Sequence, residues 1–280
     1  MALATGHFHG IGVASLAMVR MEEKGKLMKL TTGRAKLAGA LALLAIFAGF
    51  GAAAQDGRTP DYTAIVAAPD RAEGDRQADA RRKPAELLAF AEVRSGMRVL
   101  DMETSAGYNA ELLARAVGPA GTVYAQDSAA VVERFVKDKF DVRARKRVMK
   151  NVVRVIRDFD DPIPPDVSNL DLITFLFAYH DICYMPVDRA AMNRKMFAAL
   201  RPGGLLIIAD HSAKSGEGTS VVKTLHRIEE KTLREEIEAA GFKLVAEADF
   251  LRNPEDPRDT RVFQPVIPVD EFVLKYQKPK

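Results

Sequence analysis

The chain has 280 residues, 48% hydrophobic and 28% charged, enough apolar material for an α/β domain to bury a core without covalent staples. Its one cysteine, Cys183, excludes an intramolecular disulfide and a cysteine zinc site, and beside Tyr184 it reads as a small packing residue. The net charge of +3 is an N-terminal effect: residues 1–54 hold Arg20, Lys24, Lys26, Lys29, Arg34 and Lys36 against Glu22 and Glu23, which leaves −1 on the remainder and no general attraction for nucleic acid.

Lys29, Arg34 and Lys36 precede an uncharged apolar run over 37–50, which ends in Gly51, Ala52, Ala53 and Ala54. A basic segment, an apolar run of this length and small residues after it predict a secretory signal peptide cut after Ala54, and a periplasmic or secreted protein. The run is shorter than the ~20 apolar residues of a spanning helix. A membrane tether through an uncleaved signal is therefore the second expectation, with no stable span once the signal is removed. A buried core helix is the remaining reading of the same run. Met28 directly begins a well-formed signal, so translation is expected to start there, leaving His7 and His9 in an extension.

Residues 55–82 are polar, with Gly57, Pro60, Pro69 and Gly74, and read as a connector or lid-like arm ahead of a domain over 83–280. Pro84 opens a helix that Ser95-Gly96 closes. Strands and helices then alternate. A strand is predicted at Met97–Asp101, a helix at Tyr108–Val117, a strand at Thr122–Ala125, a helix at Ser128–Phe140 and a strand at Val152–Ile156. The continuous apolar run Leu170–Phe177 suits a strand buried on both faces. A helix at Arg189–Leu200, a strand at Leu205–Ala209, a helix at Ile228–Ala240 and strands at Phe242–Phe250 and Glu271–Gln277 complete the order. This alternation predicts an α/β fold: a Rossmann-like doubly wound sheet of about seven strands, helices on both faces, and an antiparallel last strand.

Four stretches carry a resemblance. The first is Val99-Leu100-Asp101-Met102-Glu103-Thr104-Ser105-Ala106-Gly107-Tyr108. The second is the strand Thr122–Ala125 running into Gln126-Asp127; the third is the strand Val152–Ile156 running into Arg157-Asp158-Phe159. The fourth is Asp171–Phe177 with Ala178-Tyr179-His180-Asp181, followed by Arg201-Pro202-Gly203-Gly204 and the strand to Asp210. In this order the chain resembles the class I S-adenosylmethionine-dependent methyltransferases from about Pro84 onward. More closely, Ala178-Tyr179-His180-Asp181, Asp210-His211-Ser212, Leu225-His226-Arg227-Ile228 and Arg252–Arg258 resemble a little-characterised bacterial group of predicted methyltransferases with signal peptides.

The resemblance implies S-adenosylmethionine as cofactor. It implies a sharply turning backbone at Asp101, Glu103, Ser105 and Gly107, where the family pattern is an acid followed by glycines at the second, fourth and sixth positions. This chain keeps Asp101 and Gly107 and departs at Glu103 and Ser105. Glu103 either faces the methionine ammonium or crowds the pocket. Asp101 either orients the ligand or caps the strand end. The resemblance assigns Asp127 to the ribose hydroxyls, with N-capping of the next helix as its other role. It points to Asp158 and Phe159 for the adenine. No G-x-G-x-x-G occurs, which disfavours a nicotinamide cofactor.

His180 and His211 follow the fourth and fifth strands, at the ligand edge of such a sheet, and with Asp181 are the catalytic candidates. Hydrogen-bonding or capping is their alternative role. His226 precedes a helix and is placed to reach the same pocket. The histidines and Asp181 and Asp210 raise a metal site, but no H-x-H or H-x-x-x-H spacing occurs, so no metal is assigned. Arg252, Arg258 and Arg261 read as solvated or paired, with an acidic-substrate clamp as the alternative. Arg143, Arg145, Lys146, Arg147 and Lys150 read as a solvated helix end. The function expected is methyl transfer to a small molecule. An exported, non-catalytic binding protein on the same fold is the alternative, favoured by Glu103 and Ser105 in glycine positions.

Overall fold

The computed structural model describes residues 57–263 and 265–280. The signal segment, its cut after Ala54, Met28, His7 and His9 lie outside the described residues. Among the described residues no helix is long and apolar enough to cross a membrane.

Three helices lead the chain: α1 (Tyr62–Val66), α2 (Glu73–Arg82) and α3 (Pro84–Phe90). There follow β1 (Arg98–Met102), α4 (Tyr108–Val117), β2 (Thr122–Asp127), α5 (Ala129–Val131), α6 (Lys139–Ala144), β3 (Val152–Ile156), β4 (Leu170–Leu176), α7 (Tyr179–Ile182), α8 (Arg189–Ala199) and β5 (Leu200–His211). The remainder is α9 (Val222–Leu225), α10 (Glu230–Ala239), β6 (Lys243–Ala248) and β7 (Glu271–Gln277). The segment 55–82, expected to be a polar arm, carries α1 and α2.

The strands form one seven-stranded sheet in the order β3-β2-β1-β4-β5-β7-β6. β7 runs antiparallel to both neighbours and the other pairings are parallel. Strand order reverses between β1 and β4, so right-handed crossovers put helices on both faces and open a crevice at the carboxyl ends of those strands. β4 is buried along nearly its whole length, as its apolar run requires. α4 and α10 each turn an apolar stripe to the sheet, through Leu112 and Leu113 in one and Leu233 and Ile237 in the other.

Two elements differ from expectation. The helix expected over 128–140 is broken. Ser128 caps α5 by accepting the Val131 N–H, a wide turn of π type runs over Val132–Val136, and Lys137 at φ 49° stops it before α6. This break lets Val136 and Phe140 both enter the core while Phe135 stays exposed. β5 starts five residues early and includes Pro202-Gly203-Gly204. A Cβ at Gly204 would lie 3.0 Å from the Leu170 carbonyl oxygen, so only glycine lets the strand close on β4 there.

Candidate active site

The loop after β1 turns through three left-handed residues, Glu103 (φ 48°), Ser105 (φ 55°) and Gly107 (φ 84°). These are the three positions where the family pattern has glycine. The turn survives without two of its glycines, at a cost of about 1–2 kcal/mol for each L-residue held there. A Cβ at Gly107 would lie 2.9 Å from Cδ of Arg143 and 3.0 Å from the Phe140 ring, so glycine is obligatory at this one position.

Asp101 is buried, and its carboxylate accepts from the Thr104 hydroxyl, the Asn109 amide at 2.6 Å and the Thr174 hydroxyl at 2.7 Å. It ties the loop to α4 and β4, the strand-end role. Burial raises its carboxyl above the usual range. Asp127, also buried, accepts the Ser105 N–H at 3.0 Å and stands 2.8 Å from the Arg154 guanidinium. Burial outweighs both partners and pushes its carboxyl up to about 6. Arg154 in turn lies 3.9 Å over the Phe140 ring. Capping of α5, the alternative for Asp127, falls to Ser128 instead. Asp158 is exposed, whereas Phe159 is buried in the hydrophobic core, so the structure separates the two residues expected to hold the adenine.

The basic run contains a correction. Arg143 and Lys146 are not a solvated helix end. Both bind Glu111, a buried carboxylate on α4, at 2.6 and 2.8 Å, and Arg115 joins them at 2.7 Å. Arg143 also donates to Asp75 of α2 and to the Ala106 carbonyl of the β1 loop. Arg145, Arg147 and Lys150 are exposed, as expected. α2 thus lies over the loop: its Asp79 takes a bidentate pair from Arg71 and a hydrogen bond from the Tyr108 hydroxyl. Its C-terminal end reaches the other strands, with Arg82 over Phe177 and Arg81 against Glu271.

The ends of β4 and β5 bring the histidines together. Asp210, buried, accepts the backbone N–H groups of His180 and His211 and stands 2.6 Å from Nδ1 of His180. On its other side, Nε2 of His180 lies 3.2 Å from Oδ1 of Asp181. The same oxygen takes Nδ1 of His226 at 2.9 Å and the Tyr184 hydroxyl at 2.8 Å. The rings of His211 and His226 stand 5.3 and 5.4 Å from that of His180. His211 stacks on Phe177, with Glu271 2.9 Å from its Nδ1.

Burial alone would make His180 less basic, but Asp210 and Asp181 outweigh it and push its imidazolium up to about 10. At neutral pH it is a cation and not a base. Asp181 is held at about 2, because hydrogen bonds from His180 and Tyr184 overcome its burial. Glu103 goes the other way: burial, then the charges of Asp181 and Asp127, push its carboxyl well above the usual range. One of its carboxylate oxygens, Oε2, is buried without a hydrogen-bond partner.

His226, expected to precede a helix and reach the same pocket, does meet the cluster. It is the left-handed cap of α9 (φ 55°), a conformation that no spacing rule predicts. Asp210 was recognised only as a residue of the cluster, yet it is the group that orients His180. Cys183 donates to the Tyr179 carbonyl, and burial pushes its thiol up to about 12, which fits the packing role. Arg252 and Arg258 pair with Asp270, and Arg261 donates to the Thr224 carbonyl, so all three are engaged within the chain.

A family model described as a methyltransferase domain matches residues 73–247. The chain belongs to that family. The match begins at α2 and so includes part of the helical arm. The ubiquinone/menaquinone biosynthesis C-methyltransferase UbiE of Pseudomonas paraeruginosa is 33% identical over 128 residues, 46% of this chain and 47% of that one. The protein of the same name from Idiomarina loihiensis is 29% identical over 120 residues, 43% and 45% of the two chains. The chain thus spans about half the length of the curated relatives it matches.

Among solved structures, a SAM-dependent methyltransferase from Aquifex aeolicus superposes with a TM-score of 0.53 at 19% identity, over 78% of this chain and 98% of that one. A sarcosine dimethylglycine methyltransferase, so described provisionally, from Galdieria sulphuraria gives 0.53 at 15%, over 74% and 91%. Both share the fold: the seven-stranded sheet is that of S-adenosylmethionine-dependent methyltransferases.

Proposed function

We propose that the protein transfers the methyl group of S-adenosylmethionine to a small-molecule acceptor at the carboxyl edge of β1, β2, β4 and β5. The observation that carries this reading is the β1 loop. Three left-handed residues at alternate positions reproduce a glycine turn, and the loop's Ser105 N–H is anchored on Asp127 at the end of the neighbouring strand. That geometry supports a cofactor cradle at this loop although two of its glycines are replaced. Gly107 and Ser105 would line the cofactor, and Asp127 would accept from its ribose hydroxyls once Arg154 moves aside. The bound cofactor supplies the electrophilic methyl group.

The chain's own contribution to chemistry lies at the histidines. His180, held as a cation, would stabilise an oxyanion on the acceptor, and His211 beside it would take the acceptor's proton. Asp181 would fix the geometry of both His180 and His226. The partial match to ubiquinone/menaquinone C-methyltransferases favours a quinone-type acceptor methylated at carbon. Ionising a ring hydroxyl makes the neighbouring ring carbon nucleophilic, which is the service a fixed cation can perform. The α1–α2 arm, tied to the β1 loop through Asp75 and to the histidine side through Arg81, would act as a lid. We further propose that the protein is exported; mass spectrometry of the protein from its native host would then find a mature N-terminus at Gln55.

Calorimetric titration of the purified chain with S-adenosylmethionine and S-adenosylhomocysteine, beside Asp127→Ala, tests the cofactor reading. Micromolar binding that the variant loses supports it. Absence of heat with both ligands would turn the balance to a non-catalytic binding protein. The saturated partners of Asp101 and the Arg154 guanidinium against Asp127 favour that second reading.

A further inference from the structure

The group at the ends of β4 and β5 has an unusual electrostatic demand. Asp210 accepts two backbone N–H groups and stands 2.6 Å from Nδ1 of His180. A carboxylate so placed keeps the proton on Nδ1, which directs Nε2 of the same ring at Asp181. Nε2 of His180 and the Asp181 carboxylate thus face one another at 3.2 Å, so a metal ion can take the place of the proton between them. His226 meets the same oxygen of Asp181 through Nδ1 at 2.9 Å. Glu103 lies near enough to Asp181 to feel its charge, and its Oε2 is buried without a hydrogen-bond partner.

We propose that His180 through Nε2, His226 through Nδ1 and the Asp181 carboxylate form a binding site for one divalent first-row transition-metal ion, of the Zn2+ class. One ligand atom from each of the three lies within 4.8 Å of the others, close enough for a shared ion. Two imidazoles and one carboxylate suit Zn2+ or Fe2+ and disfavour Mg2+ and Ca2+, which take oxygen ligands. The Asp210–His180 pair supplies the outer support typical of a metal-bound histidine, fixing its tautomer and ring orientation. The side chains of Asp181 and His226 keep 24% and 15% of their surface in contact with solvent, which leaves a route for an ion and an open coordination position. Three protein ligands with an open position is the pattern of a catalytic site rather than a structural one. The metal's use rests on the methyl-transfer reading: it would hold an acceptor oxygen as its anion, the task otherwise left to the His180 imidazolium.

The sequence raised a metal site among these residues but could not assign it, because the ligands come from two separate turns. His180 and Asp181 open α7, and His226 closes α9 some forty-five residues later, matching the separation of 45 positions between the hydrogen-bonded Asp181 and His226. No short-range histidine spacing could reveal it.

The test uses the full chain stripped with a chelator and titrated with Zn2+ alone by calorimetry. Co2+ is added in parallel and followed by its visible absorption. Expected is one ion per chain, with affinity lowered more than about 100-fold in both His226→Gly and Asp181→Ala, because loss of outer-shell partners alone costs 10–100-fold. Glycine suits the left-handed backbone at 226, so that variant keeps its fold, and circular dichroism checks both. Failure of the wild-type chain to take up Zn2+ overturns the proposal. So does uptake that survives in both variants, which would place the ion elsewhere, His7 and His9 included. Displacement of Zn2+ by an equal concentration of Mg2+ overturns the assigned class. S-adenosylmethionine binding, measured on the same metal-free sample, separates failure of this site from failure of the methyl-transfer reading.

Discussion

Both sides of the strand-end crevice are built from buried or half-buried carboxylates, but these face different cations. On the β1–β2 side, Asp75, Asp79, Glu111 and Asp127 each face arginine or lysine. On the β4–β5 side, Asp181, Asp210 and Glu271 face histidines. Arginine and lysine keep their charge across the physiological range, so the cations of the first side are fixed and only the Asp127 carboxyl, pushed up to about 6, changes state there. A histidine nitrogen can exchange its proton for a metal, so the second side is the one whose cation can be replaced. One crevice thus combines a fixed wall with a responsive one, and the α2 arm touches both.

The largest expected effect breaks the fixed wall. Glu111→Gln removes the anion that Arg115, Arg143 and Lys146 share and leaves three cations around a buried site. Urea denaturation is expected to show a loss of about 3–5 kcal/mol. A loss below about 1 kcal/mol would mean that the network is as weak as an exposed surface pair.

Asp127→Ala comes next. Hydrogen bonds to a charged group contribute about 1.5–3 kcal/mol, so affinity for S-adenosylhomocysteine should fall about 10–100-fold, read by calorimetry. Unchanged affinity would show that the ribose is held elsewhere.

The same residue sets a pH profile. Ribose hydroxyls donate to the carboxylate, so binding needs Asp127 ionised, and its carboxyl titrates at about 6. Affinity should be flat above about pH 7 and fall by up to about tenfold per unit as pH drops through 6. In folding the sign is opposite. A carboxyl raised above its unfolded value contributes stability that is complete below about pH 4 and lost as pH rises through 6. A cofactor affinity that does not weaken between pH 7 and 5 would remove Asp127 from the site.

The smallest effect concerns the turn. Ser105→Gly relieves a left-handed serine at φ 55° that is exposed to solvent. The gain from relieved strain is partly offset by the greater freedom of glycine in the unfolded chain, leaving a stabilisation of about 0.5–1 kcal/mol in denaturant midpoint measurements. A destabilised variant would mean that the serine N–H anchored on Asp127 depends on its side chain.

Much of the fold was legible because it is written in local periodicity. The β4 run, the amphipathic α4 and α10, and the glycine and proline stops between them each act over a few residues. Seven strands with an antiparallel last one followed from the missing helix between β6 and β7. The broken helix over 128–140 was not legible, because Lys137 adopts a left-handed conformation that depends on where Val136 and Phe140 find core to fill. Arg143 and Lys146 looked like solvated charge because their partner, Glu111, is more than thirty positions away in the chain, at separations of 32 and 35.

By itself the sequence determined a doubly wound sheet of about seven strands with an antiparallel last one, a sharp turn ending at Gly107, and the arrival of Asp127, His180 and His211 at one edge. These follow from alternation and from the rule that strands of such a sheet end where ligands bind. The tertiary structure alone decided what each of those side chains meets there. It matched Asp127 to Arg154, set His180 between Asp210 and Asp181, and folded His226 back onto Asp181. Charge and protonation are set by neighbours within a few ångströms, and those neighbours come from loops whose sequence separation carries no record of their meeting.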